Sequence, residues 1–137
     1  MYYIVGDIGN TSTRICLFNK SKILKSIVID TRKIFFKGFV NRIINRFNKN
    51  NLRKEILFSC VVPLALKEIK KNLKKTNFKV FEIKNFNLKK MIKINIKNFN
   101  QLGSDRIVNS IKGKEFKNCL IIDFGTATTF DIVKNGT

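Results

Sequence analysis

Apolar positions along this chain recur at two spacings, and the alternation between them marks out the elements. Tyr2-Tyr3-Ile4-Val5-Gly6 and Arg14-Ile15-Cys16-Leu17-Phe18 are short β-branched and aromatic runs on either side of Asp7-Ile8-Gly9-Asn10-Thr11-Ser12-Thr13, which predicts a hairpin with a polar turn. Lys22 to Asp30 reads as a third strand that completes an antiparallel meander. From Ile34 to Phe47, the residues Phe35, Phe39, Ile43, Ile44 and Phe47 recur at helical spacing, which predicts an amphipathic helix with its aromatic stripe in the core. Glu55 to Val62 is almost unbroken apolar, as a central strand is, and closes on Pro63, the only proline. Leu64 to Leu73 fits a lysine-studded helix and Phe78 to Ile83 a fifth strand, so the pattern describes one mixed sheet covered by helices. Between Asn85 and Asn100 the periodicity fails, and a loop with a short helix or strand is expected. Ser104 or Asp105 then caps a helix to about Lys112, with Gly103 making the turn before it. A last hairpin runs from Leu120-Ile121-Ile122 through Asp123-Phe124-Gly125-Thr126-Ala127-Thr128-Thr129 into Phe130-Asp131-Ile132-Val133.

The two hairpins are related. Laid over each other, the Asp, the Gly and the last Thr of the two turns coincide at a constant separation of 116 positions, the interval from Asp7 to Asp123. Matched apolar runs flank both, which indicates an internal duplication of one strand–turn–strand unit. Glycine lets a backbone approach a ligand closely, turn N–H groups and threonine hydroxyls donate to phosphate oxygens, and a strand-end carboxylate can face a cation. Two such hairpins facing each other across a cleft would grip a nucleoside triphosphate.

Composition narrows the chemistry. At 137 residues and 44% hydrophobic content the chain can bury a core of its own, and no apolar run approaches bilayer length. With no leader pattern at the N-terminus, a cytoplasmic protein that does not engage membranes is expected. Cys16, Cys60 and Cys119 lie far apart in apolar runs and read as buried free thiols of a reducing compartment. There is no histidine, so a general base must be a carboxylate, with lysine or tyrosine the lesser choices. The net charge of +19 comes from lysines spread along the chain among many Asn and Ile residues. These residues share adenine- and thymine-rich codons, so compositional drift accounts for the charge without a specific nucleic-acid partner; a nonspecific basic nucleic-acid-binding domain is the last of the readings considered.

Asp105 beside Arg106 at a helix start has an ordinary reading as cap and ion pair. Placed just upstream of a phosphate-type hairpin, Asp105 is also a candidate base for a substrate hydroxyl, with Arg106 pairing a substrate anion. Phosphoryl transfer needs mainly positioning and charge neutralisation, for which these parts suffice.

Together, Asp7-x-Gly9-Asn10-Thr11, Ser59-Cys60-Val61-Val62-Pro63, Gly103-Ser104-Asp105-Arg106 and Asp123-Phe124-Gly125-Thr126-Ala127-Thr128-Thr129 resemble, in order and spacing, the type III pantothenate kinases of bacteria. The resemblance spans the whole chain. It implies an α/β, actin-like (ribonuclease-H-like) duplicated fold, with residues 1–112 forming the first half and its connecting helix, and 113–137 the beginning of a truncated second half. It also implies a homodimer that phosphorylates pantothenate with ATP and magnesium, the first step towards coenzyme A, and that requires potassium or ammonium. By matching position, Asp7, Ile8, Gly9, Asn10, Thr11, Ser12, Thr13 and Arg14 would form the first ATP phosphate loop and Thr126 would touch ATP. Asp123 would hold the monovalent cation, Gly103, Ser104, Asp105 and Arg106 would contact pantothenate, and Asp105 would accept the proton.

Two departures from the family pattern stand out. Ile96 replaces a tyrosine that contacts pantothenate, and Asn98-Phe99 replaces Asn-Pro. Loss of a phenol hydrogen bond costs about 0.5–1.5 kcal/mol of binding. The chain also stops after the second hairpin, where the family continues for nearly as long again, so the edge formed by Thr129 to Val133 is expected to be open. An inactive relic that retains nucleotide binding or a dimer surface is the alternative expectation.

Overall fold

The structure, a computed structural model, describes residues 1–135. The chain divides into two compact units, Met1–Glu82 and a second that begins at Ile83.

The first unit is a five-stranded mixed sheet of β1 (Tyr2–Ile8), β2 (Ser12–Asn19), β3 (Lys22–Asp30), β4 (Leu52–Cys60) and β5 (Lys79–Glu82), in the order β3-β2-β1-β4-β5. The meander of β1, β2 and β3 is antiparallel, whereas β4 runs parallel to β1 and β5 parallel to β4. That is the strand order of a ribonuclease-H-like half-domain, as the sequence leads one to expect. Alternation on the strands decides the core: Ile4 and Ile8 of β1, Ile15 and Leu17 of β2, and Ile56 and Phe58 of β4 are buried together. Helices α1 (Phe39–Asn45) and α2 (Pro63–Leu73) contribute Val40, Ile43, Ile44, Ala65, Leu66, Ile69 and Leu73 to the same cluster. Each large side chain fully buried here contributes about 1.5–3 kcal/mol. Pro63 occupies the first turn of α2, where its missing N–H costs nothing.

The expected helix from Ile34 to Phe47 is broken. Thr31–Phe35 is a short 3-10 turn, and α1 starts only at Phe39, because Gly38 takes a left-handed conformation with φ of 70° that interrupts the ladder. Phe35, expected in the core stripe, is exposed, while Ile43, Ile44 and Phe47 are buried as expected.

The second unit begins with three 3-10 turns, Ile83–Asn85, Leu88–Lys90 and Phe99–Gln101, in the stretch where periodicity fails. Helix α3 (Ser104–Gly113) follows, and then an antiparallel hairpin of β6 (Cys119–Phe124) and β7 (Thr128–Val133). The last residue of α3 lies against the hairpin: a Cβ on Gly113 would come within 2.9 Å of Ile121 Cδ1 and 3.0 Å of Val133 Cγ2. Gly113→Ala is therefore expected to cost about 1 kcal/mol, read as a lower denaturant midpoint. One face of the hairpin carries Leu120, Ile122, Phe124, Phe130 and Ile132, all exposed, and no third strand joins it among the described residues. Cys16 and Cys60 are buried and Cys119 half-buried, all three as free thiols; burial pushes the Cys60 thiol pKa up. No helix of the described residues is long and apolar enough to cross a membrane.

Candidate active site

In the first unit Asp7 stands exposed at the end of β1, opposite Arg14 of β2 and beside Ser59 of the parallel strand β4. Residues Gly9 to Thr11 turn the chain, and the carbonyl oxygens of the turn are bonded inward. Ile8 O accepts from Val61 N–H at 3.0 Å, Thr11 O from Thr31 N–H at 3.0 Å and Ser12 O from Gly9 N–H at 3.0 Å. Gly9 O accepts from the Thr31 hydroxyl at 2.8 Å. That hydroxyl has one hydrogen, so in its 3.0 Å contact with buried Thr13 the Thr13 hydroxyl is the donor. With acceptors tied down inside, the turn presents the side chains of Asn10, Thr11, Ser12 and Arg14 to solvent, a donor-rich surface next to one carboxylate. Gly9 is not in the left-handed region. It serves by letting the backbone come close: a Cβ there would sit 3.0 Å from Ser12 O.

Thr31 is itself held by its neighbours. The Asp30 carboxylate accepts the Arg32 backbone N–H at 2.9 Å and pairs with the Arg32 guanidinium. Those bonds hold the Asp30 pKa down at about 2. A depressed carboxylate stabilises the fold at pH above its ordinary value near 3.8, and that contribution is lost as pH falls through about 2. Carboxyl NMR titration is expected to give that low value and to return it to the ordinary range in Arg32→Ala.

In the second unit Asp123 is half-buried on β6 opposite Thr129, and Phe124 lies opposite Thr128. Gly125, Thr126 and Ala127 make the turn, closed by Gly125 N–H to Ala127 O at 3.3 Å, with Thr126 exposed. The two turns thus share residues but differ in register: Asp7 faces Arg14, whereas Asp123 faces Thr129, the counterpart of Thr13. The first turn is pinned by Thr31, the residue that follows β3, and the second hairpin has no third strand among the described residues.

Helix α3 begins with Gly103 as its N-cap in extended conformation, not with Ser104 or Asp105. Ser104 is buried inside the first turn, and Asp105 Oδ1 accepts the Arg106 backbone N–H at 2.8 Å. Arg106, expected to meet a substrate anion, has a partner within the unit. Its Nε donates to Asp131 Oδ1 at 2.8 Å, its Nη2 donates to the same oxygen, and Nη2 reaches Phe130 O at 3.3 Å. The Asp131 bond raises the Arg106 pKa further above its usual value. Ile96 is exposed.

Three residues that the sequence does not single out stand beside candidate residues, Thr31 and Ser59 in the first unit and Asp131 in the second. Asp131 has no counterpart in the first hairpin, where Ile15 stands; its signature is a charge on the inward-facing alternation Thr129, Asp131, Val133 of β7. Thr31 carries no local sign of its role. Ser59 opens the Ser59–Pro63 motif, and its Oγ is buried beside Asp7 with no hydrogen-bond partner among the described residues.

The sequence profile of the family described as type III pantothenate kinase matches residues 3–137. The type III pantothenate kinase of Pelagibacter ubique is 43% identical over 98% of this chain and 55% of its own length. Those of Thermus thermophilus and a Sulfurihydrogenibium species are 30% and 33% identical over 93% and 96% of this chain. Among solved structures, an ROK hexokinase from Thermus thermophilus aligns over all of this chain and 48% of its own, with a TM-score of 0.42 and 10% identity. The chain spans about half the length of the curated relatives it matches. The chain belongs to the type III pantothenate kinase family.

Proposed function

We propose that this chain supplies the nucleotide loop and the catalytic carboxylate for ATP-dependent phosphorylation of pantothenate to 4'-phosphopantothenate, the first step of coenzyme A synthesis. The observation that carries this reading is the family match over residues 3–137, combined with Asp105 standing in the first turn of α3 with its Oδ2 unbonded by any described residue. Asp105 takes the proton of the primary hydroxyl as that oxygen attacks the γ-phosphorus of ATP, and the leaving group is ADP. Asp7 and the turn from Ile8 to Arg14 hold the phosphates, and Thr126 adds a contact to ATP. Gly103 to Arg106 hold pantothenate.

No cluster of three or more His, Cys, Asp or Glu that could hold a metal occurs among the described residues. A single exposed carboxylate at Asp7 fits a magnesium ion that arrives on the nucleotide and keeps several waters. Magnesium supplies charge neutralisation on the phosphate oxygens. The half-buried carboxylate of Asp123 suits a monovalent cation, potassium or ammonium, and the enzyme works as a cytoplasmic homodimer. Residues 1–112 form the first half of the duplicated fold with its connecting helix, and the second half starts at residue 113.

Calorimetric titration is expected to give one site for magnesium–ATP and one for pantothenate. Ser59→Ala, beside Asp7, is expected to weaken magnesium–ATP two- to threefold, on the order of 0.5 kcal/mol. Absence of both binding heats in the wild type would remove the proposal. A second reading, nucleotide binding without turnover, is favoured by the exposed apolar face of Leu120, Ile122, Phe130 and Ile132. Magnesium–ATP binding with no phosphopantothenate formed would establish it instead.

A further inference from the structure

We infer that Asp131 is a positioning residue for the substrate carboxylate, acting through Arg106; this rests on the kinase reading above. A guanidinium is planar and rigid, so fixing one edge fixes the other. Asp131 takes Arg106 by Nε and Nη2 together, and the Phe130 carbonyl adds a second acceptor to Nη2. The Asp131 side chain is only 12% exposed and Arg106 35%, so the pair is partly shielded from water. The donors that remain are on Nη1, which no described residue engages.

The same arginine is joined to the proposed base, because its backbone N–H donates to Asp105 Oδ1 at 2.8 Å. Arg106 therefore has its backbone on the Asp105 carboxylate and its side chain on β7, two residues beyond Thr129. Asp131 does two things in this arrangement. It orients Nη1 towards an anionic oxygen of the substrate, and it fixes the distance between that anion and the hydroxyl whose proton Asp105 accepts. A charge-assisted bond from Nη1 to a carboxylate oxygen is directional, and it depends on the guanidinium being held in one orientation. Without Asp131 the side chain keeps its charge but loses its direction. Affinity for the carboxylate then falls more than the reactivity of the hydroxyl does.

The test compares two substrates, pantothenate and the analogue whose carboxylate is reduced to an alcohol, on wild type, Asp131→Asn and Asp131→Glu. Asp131→Asn is expected to lower the ratio of kcat/KM for the acid over the alcohol about tenfold, through KM for pantothenate, and Asp131→Glu to restore part of it. In parallel, the Arg106 Nε–H resonance is expected to be protected from exchange in the wild type and to lose that protection in Asp131→Asn. An equal loss on both substrates, or an unaltered ratio, overturns the inference and leaves the kinase reading standing. A wild type that phosphorylates neither substrate overturns the kinase reading and the inference with it, even if the Nε–H stays protected.

Discussion

Asp105→Asn is expected to lower phosphorylation of pantothenate by a factor on the order of 10² to 10⁴, the usual worth of a positioned general base. The substitution is informative because little else about the helix start should change. The asparagine carbonyl oxygen can still accept the Arg106 N–H that Asp105 Oδ1 accepts at 2.8 Å, so the first turn of α3 keeps its local bond. Gly103 remains the N-cap and Ser104 remains buried. Loss of a negative charge in the first turn costs only about 0.3–1 kcal/mol of helix stability. What disappears is the ability to take a proton. The chain contains no histidine to substitute for it. Steady-state assays should show the loss in kcat, with magnesium–ATP still binding by calorimetry; turnover within a few-fold of wild type would remove Asp105 as the base.

Thr31→Val is expected to have the largest effect on the first turn. Valine keeps the volume and the β-branch but removes a hydroxyl that serves two partners at once, Gly9 O and Thr13 Oγ1. Thr13 and Thr31 are both buried, so water cannot easily replace the lost bonds. A buried polar group left without its partner costs about 1–3 kcal/mol, which should appear as a lowered denaturant midpoint at constant slope. The consequence for function follows from the same bonds. With Gly9 O released, the turn loses the brace that keeps its acceptors inward, and acceptors facing a polyphosphate repel it. Weaker magnesium–ATP binding should therefore accompany the loss of stability, whereas Thr31→Ser, which keeps the hydroxyl, should retain most of both. Equal nucleotide affinity in Thr31→Val and wild type would mean that the brace does not shape the phosphate surface.

What was legible in the sequence was mostly local. The strands declared themselves through β-branched runs, and a three-strand meander followed by helix, strand, helix and strand described a mixed sheet, while the order β3-β2-β1-β4-β5 is visible only in the structure. Helix α2 was legible as the lysine-studded stretch from Leu64 to Leu73, and Pro63, read as the close of the preceding strand, is its first residue. The helix predicted from Ile34 failed because a single backbone conformation at Gly38 outweighs a periodic pattern. The capping expectation at Ser104 and Asp105 failed for a related reason: Gly103 already sits extended where a cap belongs, which places Ser104 inside the helix and out of solvent.

The candidate residues divide in the same way. Asp7, Asp105 and Asp123 were visible because each stands at a turn or helix start in a short motif. Thr31, Ser59 and Asp131 act across the sheet or hairpin, 22 residues from Gly9 in the case of Thr31 and 25 from Arg106 in the case of Asp131. Their neighbours are set by strand pairing, which single positions in a sequence do not reveal. Register also separates the two related turns. Their residues align along the whole unit, yet Asp7 meets Arg14 and Asp123 meets Thr129.

The central claim is that this chain carries the parts that transfer phosphate to pantothenate, and phosphorus NMR of a mixture of the protein with magnesium–ATP, potassium and pantothenate tests it most directly. The expected spectrum gains a phosphomonoester resonance in step with ADP, at a rate that collapses in Asp105→Asn. ATP that stays intact, or ADP that accumulates with inorganic phosphate and no phosphomonoester, would contradict the account.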